Sequence, residues 1–347
     1  MDALERVADH IELVSTFRSF DGDGDAARQQ ALREQGEALA QRLVAGWRNA
    51  PAELRPDIWF TYHVYYKAPD WLGPAISAAL GIPYVIAEAS HAEKRAGGPW
   101  ALGHEAAASA IRAARLVIEP SRDDLAGLAE LLPSERIVYL PPFLDPGPYA
   151  AGARERAKHR AALAGEHRLD PGVPWIAVAA MMRAGDKLAS YRALAGALAK
   201  VADLPWRLLV AGDGSARAEV QAALDAAAPG RVTLLGSLET RQLAAMYAAC
   251  DLYAWPAMNE AYGMAMLEAQ AAGLPVVSAA KRGVPDVVMA GRTGLLAPEF
   301  DISAPLRELL VDPAKRQGLG AAAARFVSTE RSMDAAAKRL GELLRPL

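Results

Sequence analysis

The chain has 347 residues, 52% of them apolar and 23% charged, with a formal net charge of -3. That length exceeds one ordinary domain and supplies ample core for a globular protein of two domains, while the near-equal count of acids and bases excludes an electrostatic nucleic-acid binder. A single cysteine, Cys250, excludes a disulfide framework within the chain and points to a reducing compartment.

Cys250 falls in an Ala-rich helical segment and reads as a small core residue rather than a nucleophile. No stretch approaches the roughly eighteen consecutive apolar residues of a spanning helix. The start, Met1 to Arg6, lacks the basic-then-apolar order of a signal peptide. A cytoplasmic protein is expected, with peripheral membrane association left open because it needs only a basic amphipathic face.

Along the chain, short β-branched or aromatic runs alternate with longer Ala/Leu/Arg segments of helical period, the pattern of βα units and parallel sheets. Met1 to Val7 reads as the end of a helix. Strands are expected at 10–15, 57–62, 83–87, 116–119 and 136–139, with a long helix from about Asp25 to Arg48. The run Asp21-Gly-Asp-Gly-Asp25 imitates a metal-binding acidic motif, but Leu32 stands where a calcium loop needs its last glutamate and Ala26 replaces the turn glycine. It reads as a solvated acidic turn capping the following helix. Turn formers in 144–148 and a charged stretch from Arg154 to Arg168 mark a domain boundary, giving domains 1–150 and 151–330. The second half repeats the alternation, with strands at 175–179, 206–210, 231–235, 252–255, 275–278 and 294–297. From about Asp301 onward the pattern is wholly helical, and 331–347 is set apart as a closing helix.

The densest chemistry lies at Asn259-Glu-Ala-Tyr-Gly-Met-Ala-Met-Leu-Glu268, between an apolar run ending at Pro256 and a helix stop at Gly273-Leu-Pro275. Strand, glycine turn and helix start make an amide-rich edge that binds anions, and Gly263 lets a phosphate approach without a Cβ in the way. On an ideal helix eight steps turn the second glutamate about 80° from the first and ~12 Å along, so Glu260 and Glu268 cannot act as a close carboxylate pair. Two separate carboxylates beside a phosphate cradle suit a ligand carrying both phosphate and hydroxyls, such as a nucleotide sugar. Each is also readable as an ordinary surface glutamate.

This segment, with Gly273-Leu-Pro-Val-Val277 and Gly294-Leu-Leu296, resembles the donor site of the retaining glycosyltransferases of family 4, which have the GT-B fold. The match runs from about 170 to 300 and is weaker over the first half. The resemblance implies an α/β protein of two Rossmann-like domains facing across a cleft, with the last helix, 333–344, crossing back to the first domain. It implies a metal-independent transfer, with retention of configuration, from a nucleoside-diphosphate sugar to a saccharide, lipid-linked or small-molecule acceptor. The nucleotide sugar is a co-substrate and no cofactor or metal is expected.

By position, Arg183 and Lys187 match the family's diphosphate-binding pair; alone they read as a solvated surface pair. Glu268 would hold the donor ribose, and Glu260 the transferred sugar or its developing positive charge. Gly263, Met264 and Ala265 would offer amides to phosphate. Gly212 and Leu238 lie in loops that border the nucleobase in the family, each also readable as a plain αβ turn. The glycine run at 212–214 has Arg217 where a dinucleotide fingerprint needs its third glycine, which disfavours an oxidoreductase. His91 matches the family histidine near the reacting sugar, with a structural role as the alternative, and His63 matches a second common position with less force. Asp286 stands where the family has glutamate. Two rivals stay open: a nucleotide-sugar epimerase or hydrolase of the same fold, and, because the family's first βα unit and glycine-rich loop have no counterpart, a catalytically weak nucleotide-sugar-binding protein.

Overall fold

A computed structural model describes all residues, 1–347. The chain divides into two compact units, Met1–Pro141 with Ala337–Leu347, and Pro142–Ala336. The division thus falls nine residues ahead of the expected boundary at 150, and within the closing helix Met333–Leu344 rather than before it.

The first unit holds a parallel sheet of β1 (Trp59–Val64), β2 (Tyr84–Ala89), β3 (Leu116–Glu119) and β4 (Ile137–Tyr139), in the order β1-β2-β3-β4. Every residue of β3 is buried, as expected where helices cover both faces of a parallel sheet. The helices Ala26–Asn49, Gly73–Leu80 and Ala101–Ala113 supply that cover, and Val44, Ile76, Ile86, Ile111 and Val117 share one core. The helix Ala26–Asn49 begins at Asp25, whose carboxylate accepts from the amides of Ala27 and Arg28, the standard satisfaction of orphan N–H groups.

Two expectations need correcting here. No strand forms at His10–Ser15: β1 pairs only with β2, Leu13 is 73% exposed, and Val14 and Phe17 pack on the core from an irregular segment. The three-residue spacing of this partly buried pair does not supply the period of two that a half-buried strand needs. Nor is the acidic turn fully solvated. Asp21 is buried and accepts from the amides of Asp23 and Gly24 and from Gln29 Nε2.

The second unit holds β5 (Trp175–Ala179), β6 (Arg207–Ala211), β7 (Val232–Gly236), β8 (Leu252–Ala254), β9 (Val276–Ala279) and β10 (Gly294–Ala297). All pairings are parallel, in the order β10-β9-β8-β5-β6-β7. The chain winds outward from β5 in one direction and, after returning to β8, in the other. The β5/β8 border is therefore a topological switch point, where loops leaving the carboxyl ends of the two strands diverge and open a crevice. At the amino ends of the same strands Asp251 accepts from Arg156, Arg160 and the amide of Trp175, which locks that edge. Cys250 is fully buried and its thiol is pushed far up by burial, so it is a core residue. The helices Ser303–Val311, Pro313–Glu330 and Met333–Leu344 close the chain. No helix is long and apolar enough to cross a membrane.

Candidate functional site

The loops after β5 and β8 leave the sheet on either side of the switch point, and they carry the charged residues singled out in the sequence. After β5 the chain turns at Gly185, with φ of 80°, into the helix Asp186–Ala199. Lys187, in the first turn, donates from Nζ to Glu260 Oε2 at 2.6 Å. Both side chains are less than one-fifth exposed, and the ammonium stands 5.8 Å from the ring centre of Trp255. Arg183, four residues earlier, is exposed and pairs with no carboxylate.

The loop after β8 is held from several sides. The amide of Met258 donates to Ser190 Oγ, Asn259 Nδ2 donates to Asp186 Oδ2, and Arg282 Nη1 donates to Asn259 Oδ1. Ala257, Asn259 and Arg282 all adopt left-handed φ, a cost that persists only where surroundings over-determine it. At Gly283 an added Cβ would lie 1.8 Å from the Ala261 carbonyl oxygen, so the glycine is needed for two backbones to meet. Asp286, three residues on, is buried.

Gly263, with φ of 64°, starts the helix Met264–Ala271. The amides of Met266 and Leu267 turn back to the Gly263 carbonyl. The N–H groups of Gly263, Met264 and Ala265 have no acceptor in the chain, leaving three donors and the positive helix end available to an anion. Glu268 lies one turn further along this helix. Tyr247 donates its hydroxyl to Glu268 Oε2 at 3.3 Å, and the Tyr149 hydroxyl stands near the same carboxylate. Burial lifts the Glu268 carboxyl above its ordinary range, and the two tyrosine hydroxyls pull it back.

Gly212 and Gly214 have φ of 134° and 149°, and an added Cβ would sit 2.0 Å from the Ala180 oxygen or 2.3 Å from the Met182 oxygen. They let the loop after β6 lie against the loop after β5. Leu238, following β7, packs partly buried on the core of this unit.

The structure thus brings Lys187 and Glu260 into contact and sets Arg183 and the three free amides in the loops flanking one switch point. It does not bring Glu260 and Glu268 together: Glu260 lies in the loop ahead of the helix that carries Glu268, so no helical spacing relates them, and they hold different partners. His91 lies in the first unit. Its side chain is 4% exposed, with its ring 4.9 Å from that of His104; burial and then His104 lower its basicity.

Sequence reasoning missed Tyr149 and Tyr247, which no motif announces because they come from separate helices. It singled out His63 but missed the acidic groups around it at the carboxyl ends of β1 to β3. His63 Nδ1 lies 2.8 Å from Glu88 Oε1, and both residues have left-handed φ, 65° and 63°. Glu119 beside them is fully buried and accepts from the amides of Ala89 and Ser121. Burial pushes its carboxyl up to about 8, against the pull of those two amides.

The family model of glycosyl transferases group 1 matches residues 175–312. Over 304 residues, 82% of this chain and 67% of the relative, the sequence is 31% identical to the D-inositol 3-phosphate glycosyltransferase of Rhodococcus erythropolis. The chain belongs to the group 1 glycosyltransferases. Its fold is GT-B: a glycosyltransferase from Rickettsia africae superposes with a TM-score of 0.71 at 14% identity, covering 97% of this chain and 84% of that one. The Anabaena protein HepE, solved in complex with UDP, does so with a TM-score of 0.70 at 18% identity, covering 89% and 82%. The glycosyltransferase match of the family model spans all six strands of the second sheet, the part of the chain that carries the Lys187–Glu260 contact.

Proposed function

We propose that this glycosyltransferase takes its sugar from a nucleoside-diphosphate sugar held by the second unit and passes it, with retention and without a metal, to a hydroxyl of an acceptor recognised by the first unit. The observation that carries this reading is the switch point itself, where an exposed guanidinium, an ammonium and three free amides stand in the loops of adjacent strands. The reaction leaves negative charge on the diphosphate as the C1–O bond breaks, and fixed positive charge there lowers the barrier. The Arg183 fork binds two phosphate oxygens, Lys187 acts as a mobile point charge, and the amides of 263–265 complete the cradle. HepE is described with UDP bound, which supports a nucleoside diphosphate as the leaving group.

Glu268 holds the ribose hydroxyls, its carboxylate already held by Tyr247 with Tyr149 beside it. Glu260 contacts a hydroxyl of the transferred sugar. Front-side attack within an ion-pair-like complex is favoured over a covalent glycosyl-enzyme, since no carboxylate is assigned to the face of C1 opposite the leaving diphosphate. Gly212 and Leu238 border the base. The acceptor is a saccharide, a lipid-linked sugar or a small metabolite. Calorimetric titration of UDP- and GDP-sugars tests the reading: at least one should bind, and Arg183→Ala with Lys187→Ala should abolish the heat. Equal binding by wild type and double variant would overturn it.

A further inference from the structure

In the first unit His91 follows β2 by two residues, Glu93 opens a short turn, Glu93–Arg95, and His104 sits in the first turns of the helix Ala101–Ala113. One ligand atom from each of the three lies within 4.8 Å of the other two. Glu130, which ends the helix Arg122–Ala129, adds a fourth group: its Oε2 is 3.8 Å from His91 Nε2, and Glu93 Oε2 is 3.6 Å from the same nitrogen.

Both imidazoles are buried while both carboxylates are largely exposed. His104 Nε2 is buried without any hydrogen-bond partner, an expensive state for a polar atom unless something occupies the space it faces. The two rings lie 4.9 Å apart, tilted by 35°. The backbones that present them are pressed together. An added Cβ at Gly127 would meet the His91 oxygen at 2.2 Å, and one at Gly103, beside His104, would meet the Tyr66 oxygen at 2.2 Å.

We propose that His91, His104, Glu93 and Glu130 form a binding site for a zinc-class divalent transition-metal ion. Two neutral imidazoles and two carboxylates sum to the charge that neutralises a dication, and nitrogen ligands select zinc over calcium or magnesium. Four protein ligands close the coordination shell, which is the arrangement of a structural ion rather than a catalytic one. Tetrahedral zinc needs ligand atoms about 3.3 Å apart, so the set contracts on binding; the exposed carboxylates supply most of that movement and the buried rings stay in place. The ion would tie the segment after β2 to the helices on either side of it. This site is independent of the donor reading in the second unit, and it gives His91 a different task from the one the resemblance implies.

The test uses the full chain, stripped with a chelator and titrated with Zn²⁺ against a chromophoric competitor, in the absence of any sugar nucleotide. About one zinc per chain is expected, with a rise in melting temperature that excess calcium or magnesium does not produce. His104→Ala should weaken the affinity by about 100-fold or more, and Glu93→Gln by about ten-fold, in the range that lost ligands and their supports usually cost. Glu93 is 74% exposed, so that variant keeps its fold and remains informative even where the histidine variant does not. His10→Ala and His167→Ala should change nothing. Absence of stoichiometric zinc, or zinc bound equally by wild type and Glu93→Gln and His104→Ala, would overturn the proposal.

Discussion

The Lys187–Glu260 contact is a partly buried ion pair that, on the proposed function, the donor phosphate enters and re-partitions. Removing one member leaves the other desolvated and alone, so Lys187→Ala should cost stability of about 1–3 kcal/mol, read by denaturant unfolding. On the proposed mechanism it also lowers kcat by about 10²–10³, the usual worth of one preorganised charge at a developing anion. Glu260→Gln keeps a hydrogen-bond acceptor for Lys187, so its melting temperature should stay near wild type while kcat falls and donor affinity changes little. Glu268→Ala should do the reverse, weakening donor binding more than turnover; equal effects of the two on both parameters would reject the separate roles. Glu119 makes a pH prediction. Its folded carboxyl titrates near 8 against an ordinary 4.5, so between those values the folded state holds a proton that the unfolded state has released. Stability contributed by this group is therefore present below about pH 4.5 and is lost as pH rises through 8. Glu119→Gln should flatten that slope in urea melts taken across the interval; an unchanged slope would show that Glu119 is ionised in the fold.

At the scale of elements, the loops are held by glycines whose work is steric. Gly283→Ala places a methyl 1.8 Å from a backbone oxygen, and Gly212→Ala adds one 2.0 Å from another at a φ that L-residues rarely adopt. Each should lower the melting temperature by several degrees, and Gly283→Ala should also weaken donor binding because it displaces the segment at Ala261. Gly46→Ala, in the open face of the helix Ala26–Asn49 with nothing within 4 Å, should instead be neutral or slightly stabilising. The strands and helices of the second unit were legible because its parallel strands are mostly apolar runs bounded by turn formers, as Trp175–Ala179 and Leu252–Ala254 show. Lys187 and Glu260 were legible as separate motifs. Their contact, across 73 positions, follows from strand order, which no local pattern encodes. Tyr149 and Tyr247 were invisible for the same reason, since each belongs to a helix whose only local signal is its apolar period. The strand expected at 10–15 failed because apolar content alone does not provide a neighbouring strand to pair with.

For the whole molecule, the decisive property is that the two units have separate cores while the proposed donor contacts named above fall in the second. A nucleoside diphosphate at 100 times its Kd adds about 2.7 kcal/mol to whatever binds it. At about 2–4 °C per kcal/mol for a unit of this size, the transition involving the second core should rise by about 5–10 °C. Trp255 reports on it directly, being buried 5.8 Å from the Lys187 ammonium, so its emission should change on titration with UDP or GDP. Hydrogen exchange on the full chain localises the effect. Added protection should be largest at the amides of Gly263, Met264 and Ala265, which lack acceptors in the free protein, and in the loop carrying Arg183. The amides of β1 to β4 should keep their exchange rates with nucleotide alone. Protection confined to the first sheet instead would place the anion elsewhere and remove the physical basis of the donor assignment, because those strands carry none of the cationic pair.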